Sequence, residues 1–185
     1  MRCNRSVASD EAERGRFYAG SMVSEAEMAT TQALPAVVPA TVQDAPGIHR
    51  LVNYWAAQGQ MLPRTLAETY ENLRDFFVIR DGDEVVACGA LHIMWADMAE
   101  LKSLAVDADR QSGGYGSALV AACVAEGRRI GMQRLFALSY RPGFFERLGW
   151  RQADVMNLPR KVWNECYRCP KFPGCDEIAL IYDLD

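Results

Sequence analysis

A chain of 185 residues and 20.6 kDa fits one domain with a short extension. Half of its residues are hydrophobic, 24% are charged and the mean hydropathy is -0.13, which excludes a disordered chain. Twenty basic against 24 acidic residues leave a net charge of -4, so no basic footprint for nucleic acid exists at whole-chain level, and no apolar run approaches the ~20 residues of a membrane span.

Residues 1–20 carry Arg2, Arg5, Asp10, Glu11, Glu13, Arg14 and Arg16, without the apolar stretch of a secretory signal. The acids also argue against a transit peptide, and Met22 and Met28 leave a later start open. The expectation is a mobile or partly helical extension over residues 1–33, followed by a single domain over 34–185. A soluble, cytoplasmic protein with reduced cysteines is expected.

Ordered patterning begins near Pro35. Ala36 to Val38 reads as a short strand, and Thr41 to Pro46 as a turn and helix start. Ile48, Leu51, Val52 and Trp55 recur at helical spacing. Pro63 breaks the chain, and Leu66, Tyr70 and Leu73 predict a second helix over Thr65–Arg74. Phe76 to Ile79 is a strand, Asp81-Gly82-Asp83 a hairpin signal, and Val85 to His92 the returning strand. In the next strand, Glu100 to Val106, strict alternation puts Glu100, Lys102, Leu104 and Val106 on one face, with Leu101, Ser103 and Ala105 on the other. A glycine-rich turn follows from Gln111 to Gly116, and then a helix whose apolar face runs from Ala118 to Ala125, with Gly131 placed as its C-terminal cap. Leu135 to Ser139 is a strand, Phe144, Phe145 and Leu148 suit a short helix, residues 161–175 are irregular, and Glu177 to Tyr182 is a final strand. This mixture predicts an α+β fold: a mixed, mostly antiparallel sheet with helices on both faces.

A strand that feeds a helix through Gln111-Ser112-Gly113-Gly114-Tyr115-Gly116-Ser117 can hold phosphate. Glycines admit close backbone approach and positive φ, and the helix start offers unpaired N–H groups at the positive dipole end. Neither a P-loop lysine nor a G-x-G-x-x-G dinucleotide pattern is present. On glycines alone, a turn that merely caps a helix is an equal reading.

Gln111-x-x-Gly114-x-Gly116 after Glu100-Leu-Lys-Ser-Leu-Ala-Val-Asp107 resembles the acetyl-CoA motif of the GNAT N-acetyltransferase superfamily, and Phe144-Phe145-Glu146-Arg147-Leu148-Gly149-Trp150 resembles its closing motif. Met61-Leu62-Pro63-Arg64, Cys88-Gly89-Ala90-Leu91-His92 and the segment from Leu158 to Glu177 are similar to short bacterial amino-acid N-acetyltransferases of the N-acetylglutamate synthase type. The resemblance implies a GNAT fold with a splayed central strand pair. It implies acetyl-CoA as co-substrate, with pantetheine bonded to backbone near Leu104 and Val106 and pyrophosphate on the amides of Ser112 to Ser117. The activity implied is acetyl transfer to the α-amine of L-glutamate, the first step of arginine biosynthesis. Another small amine, a protein amine, or a non-catalytic acyl-CoA or metal-responsive module are the alternatives.

Acetyl transfer to a protonated amine requires a base, directly or through water. Glu100 stands where GNAT enzymes commonly carry one; a strand glutamate paired to Lys102 is the competing reading. The backbone N–H of Leu104 would polarise the carbonyl. Phe145 fills a position where many GNAT enzymes have a thiolate-protonating tyrosine, so the general acid is unassigned, with Ser139 and Tyr140 nearby. An acidic amino acid needs cations, and Arg64 and Lys102 lead, followed by Arg160 and Lys161. His49 reads as surface, whereas His92 is divided between lining the site and a structural hydrogen bond. Cys88 and Cys123 read as small core residues. Cys166-x-x-Cys169-x5-Cys175 has spacing that suits zinc or an iron–sulfur cluster, with packed thiols as the alternative. Partners are expected to be small molecules, with no nucleic acid and no membrane, and a homodimer is left open.

Overall fold

The structure, a computed structural model, describes residues 36–158 and 174–184. The expected extension over 1–33, together with Arg160, Lys161, Cys166 and Cys169, lies outside the described residues.

Local signals set the first elements. β1 (Val38–Pro39) runs into a 3-10 turn at Val42–Asp44, where Asp44 accepts from the Thr41 backbone N–H at 2.6 Å and its hydroxyl at 2.8 Å. Pro46 then sits in the first turn of α1 (Ala45–Ala57), where its missing N–H costs nothing. Asp44 is buried and also receives Arg80 through two bonds of 2.6 and 2.5 Å. Those bonds hold its carboxyl down to about 2, below the ordinary carboxylate range.

α2 (Leu66–Glu71) opens on a reciprocal cap between Thr65 and Glu68. The expected helix over Thr65–Arg74 stops early. Asn72 turns its side-chain amide onto the Glu68 carbonyl at 2.8 Å, and the chain tightens into a 3-10 turn at Leu73–Asp75. β2 (Phe76–Asp81) and β3 (Glu84–Ile93) form the predicted hairpin, with Gly82 at φ +59. β4 (Met98–Val106) follows, then α3 (Tyr115–Arg129), which ends before Gly131 at φ +82, as expected for a cap. β5 (Arg134–Ser139), α4 (Pro142–Glu146), β6 (Arg151–Ala153) and β7 (Ile178–Asp183) complete the described fold. β6 was not foreseen, because Arg151-Gln152-Ala153 has no apolar alternation; its position is fixed by pairing with β7.

The seven strands order as β1-β2-β3-β4-β5-β7-β6, antiparallel except for β4 beside β5. α1 packs one face, burying Ile48, Leu51 and Val52 against Val78, Cys88, Ala90 and Ala105. α3 packs the other, with Val120, Cys123 and Val124 against Leu91, Leu101, Leu135 and Leu180. The expected mixed sheet with helices on both faces is what forms.

Two irregularities in β4 create the site. First, its parallel pairing with β5 covers only Met98 to Glu100. Beyond Glu100, β4 stays with β3 and β5 stays with β7, so the two strands part: the implied splay is present. Second, a bulge sets in where Cys88 pairs with Ala105 and Ala90 with Lys102, so Ser103 and Leu104 oppose Gly89 alone. Ser103 takes φ +52, a left-handed conformation uncommon outside glycine. This corrects the strict alternation. Lys102 lies opposite Ala90 on the α1 face, whereas Leu104 and Val106 pack beside Leu119 of α3. The extra residue flips the second half of the strand, and composition alone does not announce it.

Candidate active site

The parting strands open a cleft of about 830 Å³, walled by Leu101 to Val106 on one side and by Leu138 to Arg141 and Phe144 on the other. The glycine-rich turn lies past the end of β4. Ser112 has φ +66 and Gly114 φ +81, and the first helical bond of α3 runs from the Ala118 N–H to the Gly114 carbonyl at 3.0 Å. Amides ahead of it have no partner within the helix, and the first turn carries no acidic side chain to occupy its positive end. Gln111, Ser112, Gly114, Tyr115, Gly116 and Ser117 line the cleft; Gly113 does not. A Cβ on Gly113 would stand 2.8 Å from the Tyr115 ring, so this glycine makes room for Tyr115. One on Gly116 would stand 3.2 Å from the Phe144 ring, which keeps α3 close to the closing motif.

Leu104 and Val106 also line the cleft. The Val106 carbonyl already accepts from the indole Nε1 of Trp55 at 2.9 Å, tying α1 to the end of β4. Phe145 is buried and packs edge-on against Phe144 and Trp150, as a core ring would. Ser139 and Tyr140 line the cleft, and Ser139 Oγ accepts from the Arg141 backbone N–H at 3.0 Å.

Arg64 and Lys102 meet at the bulge although distant in sequence. Arg64 Nε donates to Ser103 Oγ at 3.1 Å, and Asn53 of α1 clamps the Arg64 backbone through its amide at 2.8 Å and its carbonyl oxygen at 3.3 Å. Lys102 Nζ lies 3.3 Å from Glu100 Oε2, with 12% and 13% of the two side chains exposed. Lys102 lines the cleft and Glu100 does not, so the pairing read as Glu100's competing role is present in the structure. Across the strand, Glu100 stands in register with His92, whose Nδ1 lies 2.5 Å from Asp75 Oδ2. Arg64, Asp75, His92, Lys102 and Ser103 together line a small second chamber.

Sequence reasoning missed several residues here. Asn53 carries no motif, and Ser103 gained its role through the bulge. Arg110, Arg141, Arg147 and Glu177 line the cleft as well. Among the described residues the lining therefore carries five cations and one acid, in a chain whose net charge is -4. Cys175 is exposed, 3.7 Å from Glu177 Oε2, and no group of three metal-binding side chains occurs among the described residues. Burial raises the Cys88 and Cys123 thiols to about 12, which leaves both inert as nucleophiles, and no described helix is long and apolar enough to cross a membrane.

Residues 47–150 match the acetyltransferase (GNAT) family, a span that holds the splay, the bulge and the glycine turn. The chain belongs to the GNAT acetyltransferase family. It is thus an acetyltransferase that uses acetyl-CoA. An uncharacterized N-acetyltransferase of Chlorobaculum tepidum is 35% identical over 145 residues, covering 78% of this chain and 94% of the relative. The amino-acid acetyltransferase of Mycobacterium tuberculosis is 33% identical over 151 residues, covering 80% and 86%. The N-acetylglutamate synthase of Neisseria gonorrhoeae, solved with coenzyme A and N-acetyl-glutamate, superposes with a TM-score of 0.73 at 30% identity. That match covers 81% of this chain and 35% of the synthase, so this GNAT chain spans about a third of that enzyme's length.

Proposed function

We propose that this protein transfers the acetyl group of acetyl-CoA to the α-amine of L-glutamate, the opening step of arginine synthesis, in the cytoplasm. The observation that carries the reading is the charge of the cleft. The amine end is built around Arg64 and Lys102 at the bulge, where a dicarboxylate would exchange its hydration for fixed cations. The names of the relatives lend support, two of them being amino-acid or glutamate acetyltransferases.

In this reading the amides from Ser112 to Ser117, ahead of the first bond within α3, receive the pyrophosphate, and pantetheine follows β4 at Leu104 and the remaining lone pair of Val106. The Leu104 N–H polarises the thioester carbonyl. Glu100 takes the ammonium proton through an intervening water beside Lys102, the amine attacks, and CoA leaves as thiolate. Arg64, Lys102 and Lys161 hold the substrate's carboxylates.

Glu177, the one acid in the lining, favours a second reading in which the distal group is an amide, as in glutamine. Release of free thiol from acetyl-CoA, measured against a panel of individual amino acids, tests both. Turnover with glutamate supports the first reading, turnover confined to glutamine the second, and turnover with neither removes both.

A further inference from the structure

His92 and Asp75 have no part in the scheme above, yet their geometry is that of an oriented imidazole. Asp75 Oδ2 stands 2.5 Å from His92 Nδ1, a close hydrogen-bonding contact between imidazole and carboxylate. In a neutral ring that donates its Nδ1–H to the carboxylate, Nε2 keeps its lone pair. The Asp75 side chain is 27% exposed and that of His92 33%, so this pair reaches solvent. On the neighbouring strand, Glu100 is the register partner of His92 and is itself paired with Lys102, nearly buried. The chamber of about 10 Å³ that His92 shares with Lys102, Ser103 and Arg64 is at the lower bound for one water, and those three residues also line the acetyl-transfer cleft. The chamber therefore adjoins the cleft at the bulge and ends on the α1 side of the sheet at Asp75 and His92, which reach solvent.

We infer that Asp75 and His92 are positioning residues that carry the amine proton out of the site. An N–H bond of the substrate ammonium breaks as water beside Lys102 accepts the proton, and that water gives up one of its own protons as an O–H bond forms on Glu100. That proton then passes to His92 Nε2, and Asp75 balances the imidazolium until bulk water takes it. No electrons change hands, and Glu100 returns to its carboxylate for the next turnover. A nearly buried carboxylate already paired with Lys102 is a poor final store for a proton, which is why an exposed acceptor beside it matters. The groups facing His92 are Asp75 ahead of β2, Glu100 and Lys102 on β4, and Arg64 ahead of α2. The inference rests on the proposed amino-acid acetylation for its kinetics, but not for its NMR signature.

The chain has only two histidines, so the His92 ring can be followed by NMR without a crowded spectrum. Its ring nitrogen shifts should show the Nδ1–H tautomer, and the ring signals should move in both Asp75→Asn and Glu100→Gln, since each removes a negative neighbour of the ring. A His92 ring indifferent to Glu100→Gln is not coupled to it, and the relay is then wrong whatever the enzyme acetylates. In steady state with the best amino acid of the panel, His92→Gln should lower kcat by at least about tenfold, within the range of assisted proton transfer. The acetyl-CoA constant should stay fixed, and the acid limb of the pH–rate profile should change shape. His92→Ala should recover turnover with added imidazole, a response that a packing role would not give. Parent-like rate and profile in His92→Gln would overturn the relay, whereas a parent inactive on every amino acid would overturn the proposed function and leave the NMR result to decide the relay.

Discussion

The glycine turn and the bulge both present backbone to the same cleft, but they are assembled in opposite ways. From Gln111 to Ser117 the chemistry is in the main chain: two positive-φ residues, a helix start without an acidic first turn, and amides with no partner in the helix. At the bulge the chemistry is in side chains gathered from afar, with Arg64 reaching Ser103 across 39 residues and Asp75 meeting His92 across 17. A phosphate is a strong, nearly spherical anion that a local run of N–H groups can satisfy. An amino acid must be told from other amino acids, which takes separate groups at separate corners. If this division holds, variants in the two regions should move different constants.

The largest effect is expected at Glu100. Glu100→Gln should lower turnover by ~10²–10⁴-fold with acetyl-CoA binding retained, and the deficit should shrink at high pH, where the amine loses its proton unaided. Titration calorimetry with CoA beside the pH–rate profile checks both halves; an enzyme at full rate near neutrality would reduce Glu100 to a partner of Lys102. Next comes Arg64. Removing this half-buried, charged hydrogen-bonding group should cost about 2–5 kcal/mol, read almost wholly in the amino-acid constant. Arg64→Lys keeps the charge and loses the planar fork, so it should fall near Arg64→Ala. Saturation curves that show both variants matching the parent would move the carboxylate contacts to Lys102 and Lys161.

The turn should respond through the other constant. Gly114 stands at φ +81, where a β-branched residue is strained by about 1–3 kcal/mol. Gly114→Val should therefore raise the apparent acetyl-CoA constant by roughly tenfold or more in a folded protein, with the amino-acid constant little changed. Unchanged CoA affinity would mean that the turn merely caps α3. A control lies outside both regions, at Asp44. Its carboxyl is held at about 2 by Arg80, against 3.8 without such partners, so the folded state binds its proton less readily than the unfolded one. Its contribution, roughly 2 kcal/mol, is whole above pH 4 and drains away as pH falls toward 2. Asp44→Asn should flatten that part of an acid denaturation curve while leaving the ratio of the two substrate constants alone.

What was legible in the sequence follows the same division. The helix start at Thr65, the Gly82 hairpin and the Gly131 cap are local, and each forms where its residues predict. The glycine turn was legible because a backbone site is written in consecutive residues. Strict alternation failed along β4, because one residue inserted opposite Gly89 turns Leu104 and Val106 to the α3 face, and nothing in Lys102-Ser103-Leu104 marks the insertion. Arg64 and Lys102 were named singly from their charge, but their meeting at the bulge depends on Asn53 holding the loop from α1, a contact that no spacing encodes. β6 escaped because three residues, two of them polar, form a strand only when β7 supplies the partner.

The smallest expected effect tests whether the two regions are independent at the point where they come closest. Trp55 belongs to α1, whose Asn53 positions Arg64, while its indole donates to Val106, the last residue of β4 before the glycine turn. A carbonyl has two lone pairs, so Trp55 and the pantetheine of the proposed reading would both use Val106 without competing. Trp55→Phe keeps an aromatic ring against the core and deletes the donor, which should lower stability by about 0.5–1.5 kcal/mol. Because the Val106 backbone is also held by its pairing with Ala87, the strand end should stay in place. Both substrate constants should then remain within about twofold, a shift of under 0.5 kcal/mol. Thermal unfolding and the paired saturation curves measure this directly. A selective rise in the acetyl-CoA constant would make Trp55 part of the cofactor wall. A rise in both constants would show that α1 couples the bulge to the turn, and the division into a backbone site and a side-chain site would give way to one connected site.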